Sequence, residues 1–151
     1  MEGVQKKALE VVRRSKLFVP VNREKFVAKA WTRGADGIIL DLEDAIAPAD
    51  KVSARKMVKD VIPIVNKGGA EILVRINREF EAEDLDAIVI PGLTCVMIPK
   101  CESVEEIRRI DQMVTQLERE RGLPGRKIEF ELIIETAVGV VNVESIVKAS
   151  P

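Results

Sequence analysis

The stretch Ile38-Ile-Leu-Asp-Leu-Glu-Asp-Ala-Ile-Ala-Pro48 decides the fold. Four of its first five residues, Ile38, Ile39, Leu40 and Leu42, are apolar, and the carboxylates Asp41, Glu43 and Asp44 arrive together at its end. A short apolar run rich in β-branched side chains predicts a strand covered on both faces, the kind that builds parallel sheets. Carboxylates at the end of such a strand need cations opposite them, because burying an unpaired charge is expensive. In α/β barrels the active site lies at the carboxyl ends of the strands, so chemistry is expected at this edge.

Working outward, the chain alternates. Lys16-Leu-Phe-Val-Pro20 predicts a first strand, preceded by a helical lead-in over 1–14. Arg23 to Thr32 predicts a helix, with Phe26, Val27, Ala30 and Trp31 at helical spacing and Gly34 to end it. The second strand is expected over Gly37 to Glu43. Pro48 and Asp50 then open a helix to about Asn66, with Val52, Met57, Val58, Val61 and Ile62 on its inner face. Lys67-Gly-Gly69 breaks the chain before a third strand, Glu71 to Asn77, and an acidic helical piece, Glu79 to Ile88. A fourth strand is expected over Thr94 to Lys100. Ser103 caps a helix to about Glu120, with Glu105 and Glu106 in the first turn, where the helix dipole favours them. After a loop over Gly122 to Arg126 comes a fifth strand, Lys127 to Glu135, and a helix beginning near Val141.

Consecutive short β–loop–α units imply right-handed crossovers and a parallel sheet. A doubly wound sheet would carry a Gly-rich phosphate turn after its first strand, and that turn here is Pro20-Val-Asn-Arg23. A (β/α)8 barrel is the alternative and is the expected fold class. Such barrels run to roughly 250 residues. The 151 residues present would form one incomplete barrel domain, its N-terminal portion, with about the first five βα units.

Composition excludes several partners. With 24 Lys+Arg against 25 Asp+Glu, the net charge of -1 argues for neither nucleic acid nor an anionic membrane. No apolar stretch reaches the roughly 18–20 residues that span a bilayer. Glu2 and Glu10 stand among the basic residues of the N-terminus, which lacks the apolar region of a secretory signal. Cys95 and Cys101 have no CxxC spacing, and the chain contains no His, so zinc is not expected. Buried free thiols in a reducing cytoplasm are.

Five blocks then occur in order: Arg14-Ser-Lys-Leu-Phe-Val-Pro20; Gly34 to Pro48 with Lys51 and Ala54-Arg55; Val74-Arg-Ile-Asn77; Ile98-Pro-Lys-Cys-Glu-Ser103; and Ile133-Ile-Glu-Thr-Ala137. Together they resemble the citrate lyase beta-subunit and malyl-CoA lyase family of the HpcH/HpaI aldolase superfamily. The resemblance runs from Arg14 to Pro151. One departure is Val21, which follows Pro20 where the family commonly has a small residue. The resemblance implies a (β/α)8 barrel that makes or breaks a C–C bond between an acyl-CoA thioester and a 2-oxo acid with Mg2+. It also implies a homo-oligomer, trimer or hexamer, at full length.

Residue by residue, the resemblance makes Glu135 a metal ligand, with a second ligand, an Asp on the next strand, lying beyond Pro151. It makes Arg75 the substrate arginine. An arginine centred in an apolar strand must meet an anion, and its planar fork suits a carboxylate; Glu43 or Asp44 is an alternative internal partner. Asp41, Glu43 and Asp44 are expected to orient Arg75 and hold metal-bound water, with Arg75, Glu43 and Asp44 as the catalytic set. Asn77 positions substrate or simply ends its strand. Lys100 pairs with these carboxylates or faces the CoA phosphates. Lys51 and Arg55, four apart on a helix, form a solvated face or buttress Asp44. Half of the implied metal site is then missing, and the isolated chain is expected to be inactive. Two other readings stay open: a pyruvate-type aldolase of the same superfamily, against which the absence of His counts, and a non-enzymatic half-barrel that binds a CoA-like ligand or a partner subunit.

Overall fold

The computed structural model describes residues 13–125 and 127–149. Apart from Arg13 and Arg14, the lead-in helix expected over 1–14 lies outside them. Five strands, β1 (Lys16–Pro20), β2 (Gly37–Asp41), β3 (Glu71–Arg75), β4 (Cys95–Ile98) and β5 (Glu129–Leu132), alternate with five helices: α1 (Glu24–Ala30), α2 (Lys51–Val65), α3 (Glu81–Ile88), α4 (Val104–Glu120) and α5 (Ala137–Ile146). The strands form one sheet in the order β1-β2-β3-β4-β5, every pair parallel.

Side-chain parity separates the two faces of this sheet. Val19, Leu40, Val74 and Val96 are in register and join Ile38, Ile72 and Ile98 in one cluster with the buried helix residues Val27, Val58, Leu85, Ile107 and Ile146. Residues of the other parity, Ile39, Leu73, Cys95 and Met97, form a separate small cluster with Ile133. The helices therefore cover one face only. A doubly wound sheet would have helices on both faces and a reversal in strand order. Here there is neither, and the winding is that of a barrel. Across the uncovered face, Lys16 at the start of β1 pairs with Glu131 of β5, and Arg13 bridges Glu71 and Glu129. The sheet is thus curled enough for its two edge strands to meet through side chains.

The inner stripe of α2 differs from expectation. Val52 and Met57 are exposed, while Ala54, Val58, Val61, Ile62 and Val65 are buried. That set follows the 3.6-residue period, and Val52 and Met57 stand off it. Strands β2, β3, β4 and β5 end earlier than expected because pairing stops where the chain turns into the site. Ser103 does cap α4, in a reciprocal capping box with Glu106.

Helix α5 starts at Ala137, not near Val141, with Thr136 Oγ1 accepting from the Gly139 N–H at 3.0 Å. The valine-rich run that follows has low helix propensity and concealed this start. A Cβ at residue 139 would sit 2.3 Å from the Cys101 carbonyl oxygen, so α5 reaches the end of β4 only because the residue is glycine. Among the described residues, no helix is long and apolar enough to cross a membrane.

Candidate active site

The carboxyl ends of β2, β3, β4 and β5 bring the expected residues together. Pro20, Asp41, Arg75, Met97 and Glu131 share one register row, so Asp41 and Arg75 are neighbours on adjacent strands with the same parity. Asp41 is 1% exposed and accepts from Arg75 Nε at 2.8 Å and Nη2 at 2.6 Å. It also accepts from the Glu43 and Ala45 N–H groups, at 2.9 and 3.1 Å. Burial pushes the Asp41 carboxyl up, but Arg75 and the two amides outweigh it and hold the group below the usual carboxylate range. Arg75, bonded to Asp41, is raised in turn.

All three carboxylates expected to orient Arg75 pair with it, Asp41 through two short hydrogen bonds and Glu43 and Asp44 through Nη1. Arg75 Nη1 donates to Asp44 Oδ2 at 3.4 Å and lies 3.1 Å from Glu43 Oε2, in a geometry that makes no hydrogen bond. Asp44 is largely exposed and Glu43 buried. With Nε and Nη2 committed to Asp41, Nη1 is held only by the long bond to exposed Asp44 and the ion pair with Glu43. The Phe18 ring lies 5.0 Å from the guanidinium carbon and holds the plane of the group.

Lys100 links the remaining carboxylates. Its Nζ donates to Glu43 Oε1 at 2.9 Å, and this bond raises the ammonium pKa. Its backbone N–H donates to Glu135 Oε1 at 3.1 Å, and its carbonyl accepts from Arg78 Nη1 at 3.3 Å. Lys100 has φ 50°, the only positive φ outside glycine among the described residues. Strained backbone of this kind persists where surrounding contacts over-determine it, often at functional sites. The pairing of Lys100 with a carboxylate is present, through Glu43.

Asn77, Lys51 and Arg55 stand behind this cluster. Asn77 is 4% exposed, and its amide bonds the Leu42 carbonyl, Asp84 and Lys51. Asn77 is thus held by protein partners within the wall of the site. Lys51 Nζ holds the Glu43 carbonyl at 2.9 Å, and Arg55 Nε donates to Asp84 at 2.6 Å. Neither buttresses Asp44 nor forms a solvated face. Asp84, fully buried, went unnoticed in the sequence because it sits in the acidic run Glu81-Ala-Glu-Asp84, which looks like a solvated helix start.

Both cysteines are buried and free, and burial pushes their thiols up, Cys95 to about 12 and Cys101 to about 11. Since the thiolate is the reactive form, neither is expected to be alkylated by iodoacetamide in the folded protein at neutral pH. Both should label fully in guanidinium, as intact mass will show.

A one-way parallel sheet with acidic and basic groups gathered at its carboxyl edge defines a barrel-type α/β protein, represented here by five βα units. The chain belongs to the HpcH/HpaI aldolase/citrate lyase family, whose profile matches residues 14–151. Citrate lyase subunit beta of Leuconostoc mesenteroides subsp. cremoris is 38% identical over 144 residues, 93% of this chain and 48% of that protein. An L-malyl-CoA/beta-methylmalyl-CoA lyase of Cereibacter sphaeroides is 37% identical, over 91% of this chain and 45% of its own. The solved citrate lyase beta subunit of M. tuberculosis, complexed with oxaloacetate and magnesium, is 31% identical with a TM-score of 0.64, covering 91% of this chain and 55% of that one. Haloferax volcanii malate synthase shares the fold, with a TM-score of 0.72 at 20% identity over 93% of this chain and 44% of that one. The chain spans about half the length of the curated relatives it matches.

Proposed function

We propose that the protein is a Mg2+-dependent carbon–carbon lyase acting on an acyl-CoA thioester of the citryl-CoA or malyl-CoA type. It releases acetyl-CoA and a 2-oxo acid by retro-Claisen cleavage. The observation that carries this reading is the convergence of Arg75, Glu43, Asp44, Lys100 and Glu135 at one sheet edge.

The donor set fits Mg2+. Glu135 engages one oxygen with the Lys100 N–H, and Oε2 makes no hydrogen bond among the described residues. A carboxylate oxygen left open in this way suits Mg2+, which prefers oxygen, retains waters and takes one or two protein carboxylates. Bound at Glu135, it would supply Lewis-acid polarisation to the oxygens of the 2-oxo acid. The Nη1 side of Arg75 adds positive charge where oxygen charge develops. Asp41 fixes Arg75 in place through two hydrogen bonds. Lys100 balances Glu43, which would otherwise repel an anionic substrate.

Calorimetric titration of oxaloacetate into the chain tests this proposal. Binding is expected to require Mg2+ and to disappear in Glu135→Gln. Equal binding without Mg2+, or in that variant, would remove the metal from the proposal.

A further inference from the structure

The acidic turn that carries Glu43 and Asp44 is held from behind by a buried charged chain that plays no part in the chemistry proposed above. Asp84 on α3 is 0% exposed. Its Oδ1 accepts from Arg55 Nε at 2.6 Å, and its Oδ2 accepts from the Asn77 N–H at 2.7 Å and Nδ2 at 2.9 Å. The same Asn77 Nδ2 donates to the Leu42 carbonyl at 2.8 Å, and Asn77 Oδ1 accepts from Lys51 Nζ. Lys51 in turn donates to the carbonyls of Leu42 at 3.3 Å and Glu43 at 2.9 Å.

This arrangement admits one orientation of the Asn77 amide. Turned over, its oxygen would face both the Asp84 carboxylate and the Leu42 carbonyl, and its NH2 would face the Lys51 ammonium. Asp84 therefore selects the orientation in which Asn77 grips Leu42 and presents an acceptor to Lys51. Through those two residues it fixes both carbonyls of the turn. The turn's shape aims Glu43 at Arg75 and Lys100. Arg55, whose guanidinium lies 5.2 Å from the Phe80 ring, balances the charge of the fully buried Asp84.

We infer that Asp84 is a positioning residue for the candidate active site, acting through Asn77 and Lys51 on the turn that carries Glu43. Its bearing on catalysis rests on the lyase proposal, whereas the contacts themselves do not.

The test is amide hydrogen exchange by NMR on the chain and on Asp84→Ala, Asp84→Asn and Lys51→Met. The quantity read is the exchange of the Glu43 and Ala45 amides relative to the strand amides of β3 and β4. Asp84→Ala and Lys51→Met are expected to raise that ratio about tenfold, the scale of one charge-assisted hydrogen bond lost to local opening. Asp84→Asn, which can still offer an oxygen to Asn77, is expected to recover most of the protection. Turn and strand amides that accelerate by the same factor would overturn the inference, leaving Asp84 a residue of general stability. So would an unchanged ratio. If Asp84→Ala does not fold, Lys51→Met decides alone by the same ratio.

Oxaloacetate with Mg2+ is titrated into the same samples. A raised ratio without ligand binding by the unmutated chain would leave the positioning intact and count against metal-dependent binding at Glu135 in this chain. Binding with an unmoved ratio would do the reverse.

Discussion

Replacing Asp41 by asparagine is expected to destabilise the protein by about 3 kcal/mol at neutral pH, the scale of breaking a buried ion pair from one side. The carboxylate accepts two bonds from Arg75 and two from backbone amides, and its loss leaves a guanidinium only 12% exposed with Glu43 and Asp44 as anions. The effect carries a pH signature. Because the folded protein holds Asp41 below its ordinary value, the stability it contributes is complete above the unfolded carboxylate value of about 4. It is lost as pH falls through the lower, folded-state value. Urea midpoints of the two proteins should therefore differ fully at pH 6 and converge in strong acid. A difference that persists undiminished to low pH would mean that the shape of the side chain matters and its charge does not.

Arg75→Lys is expected to weaken oxaloacetate binding by about 10²-fold, the equivalent of one or two charge-assisted bonds. Lysine can keep a positive charge beside Asp41 but cannot hold that carboxylate with two nitrogens and offer a third to a ligand. It also forfeits the stacked plane against Phe18. Thermal unfolding monitored alongside separates the two roles of the arginine. Lower affinity in a protein that melts normally supports substrate contact through Nη1. Unchanged affinity would reduce Arg75 to a structural partner of Asp41.

How much of this was readable beforehand depended on the range of the interaction. Strand β2 was evident from its uninterrupted apolar run, and the start of α4 from Ser103 and Glu106, because both signals are local. Arg75 was recognised as needing an anion, since no apolar strand tolerates a lone guanidinium. Its closest partner needed the parallel register that sets Asp41 beside it. Asp84 and Arg55 lie 29 positions apart, each within an ordinary charged helix, and nothing local marks either as buried. Val52 and Met57 look inward-facing by hydrophobicity alone, yet both are exposed. The phase of α2 is set by where its first turn begins, and that phase selects Ala54 instead.

The one-way winding of the sheet also bears on how the polypeptide is made. Each strand hydrogen-bonds to the strand synthesised just before it, so every new βα unit leaving the ribosome finds its partner already in place. No strand has to wait for a distant segment, and the loops closed at each step stay short. Growth can thus proceed like bricklaying, course upon course, with the charged carboxyl edge assembled from Asp41 onward as each strand reaches its end.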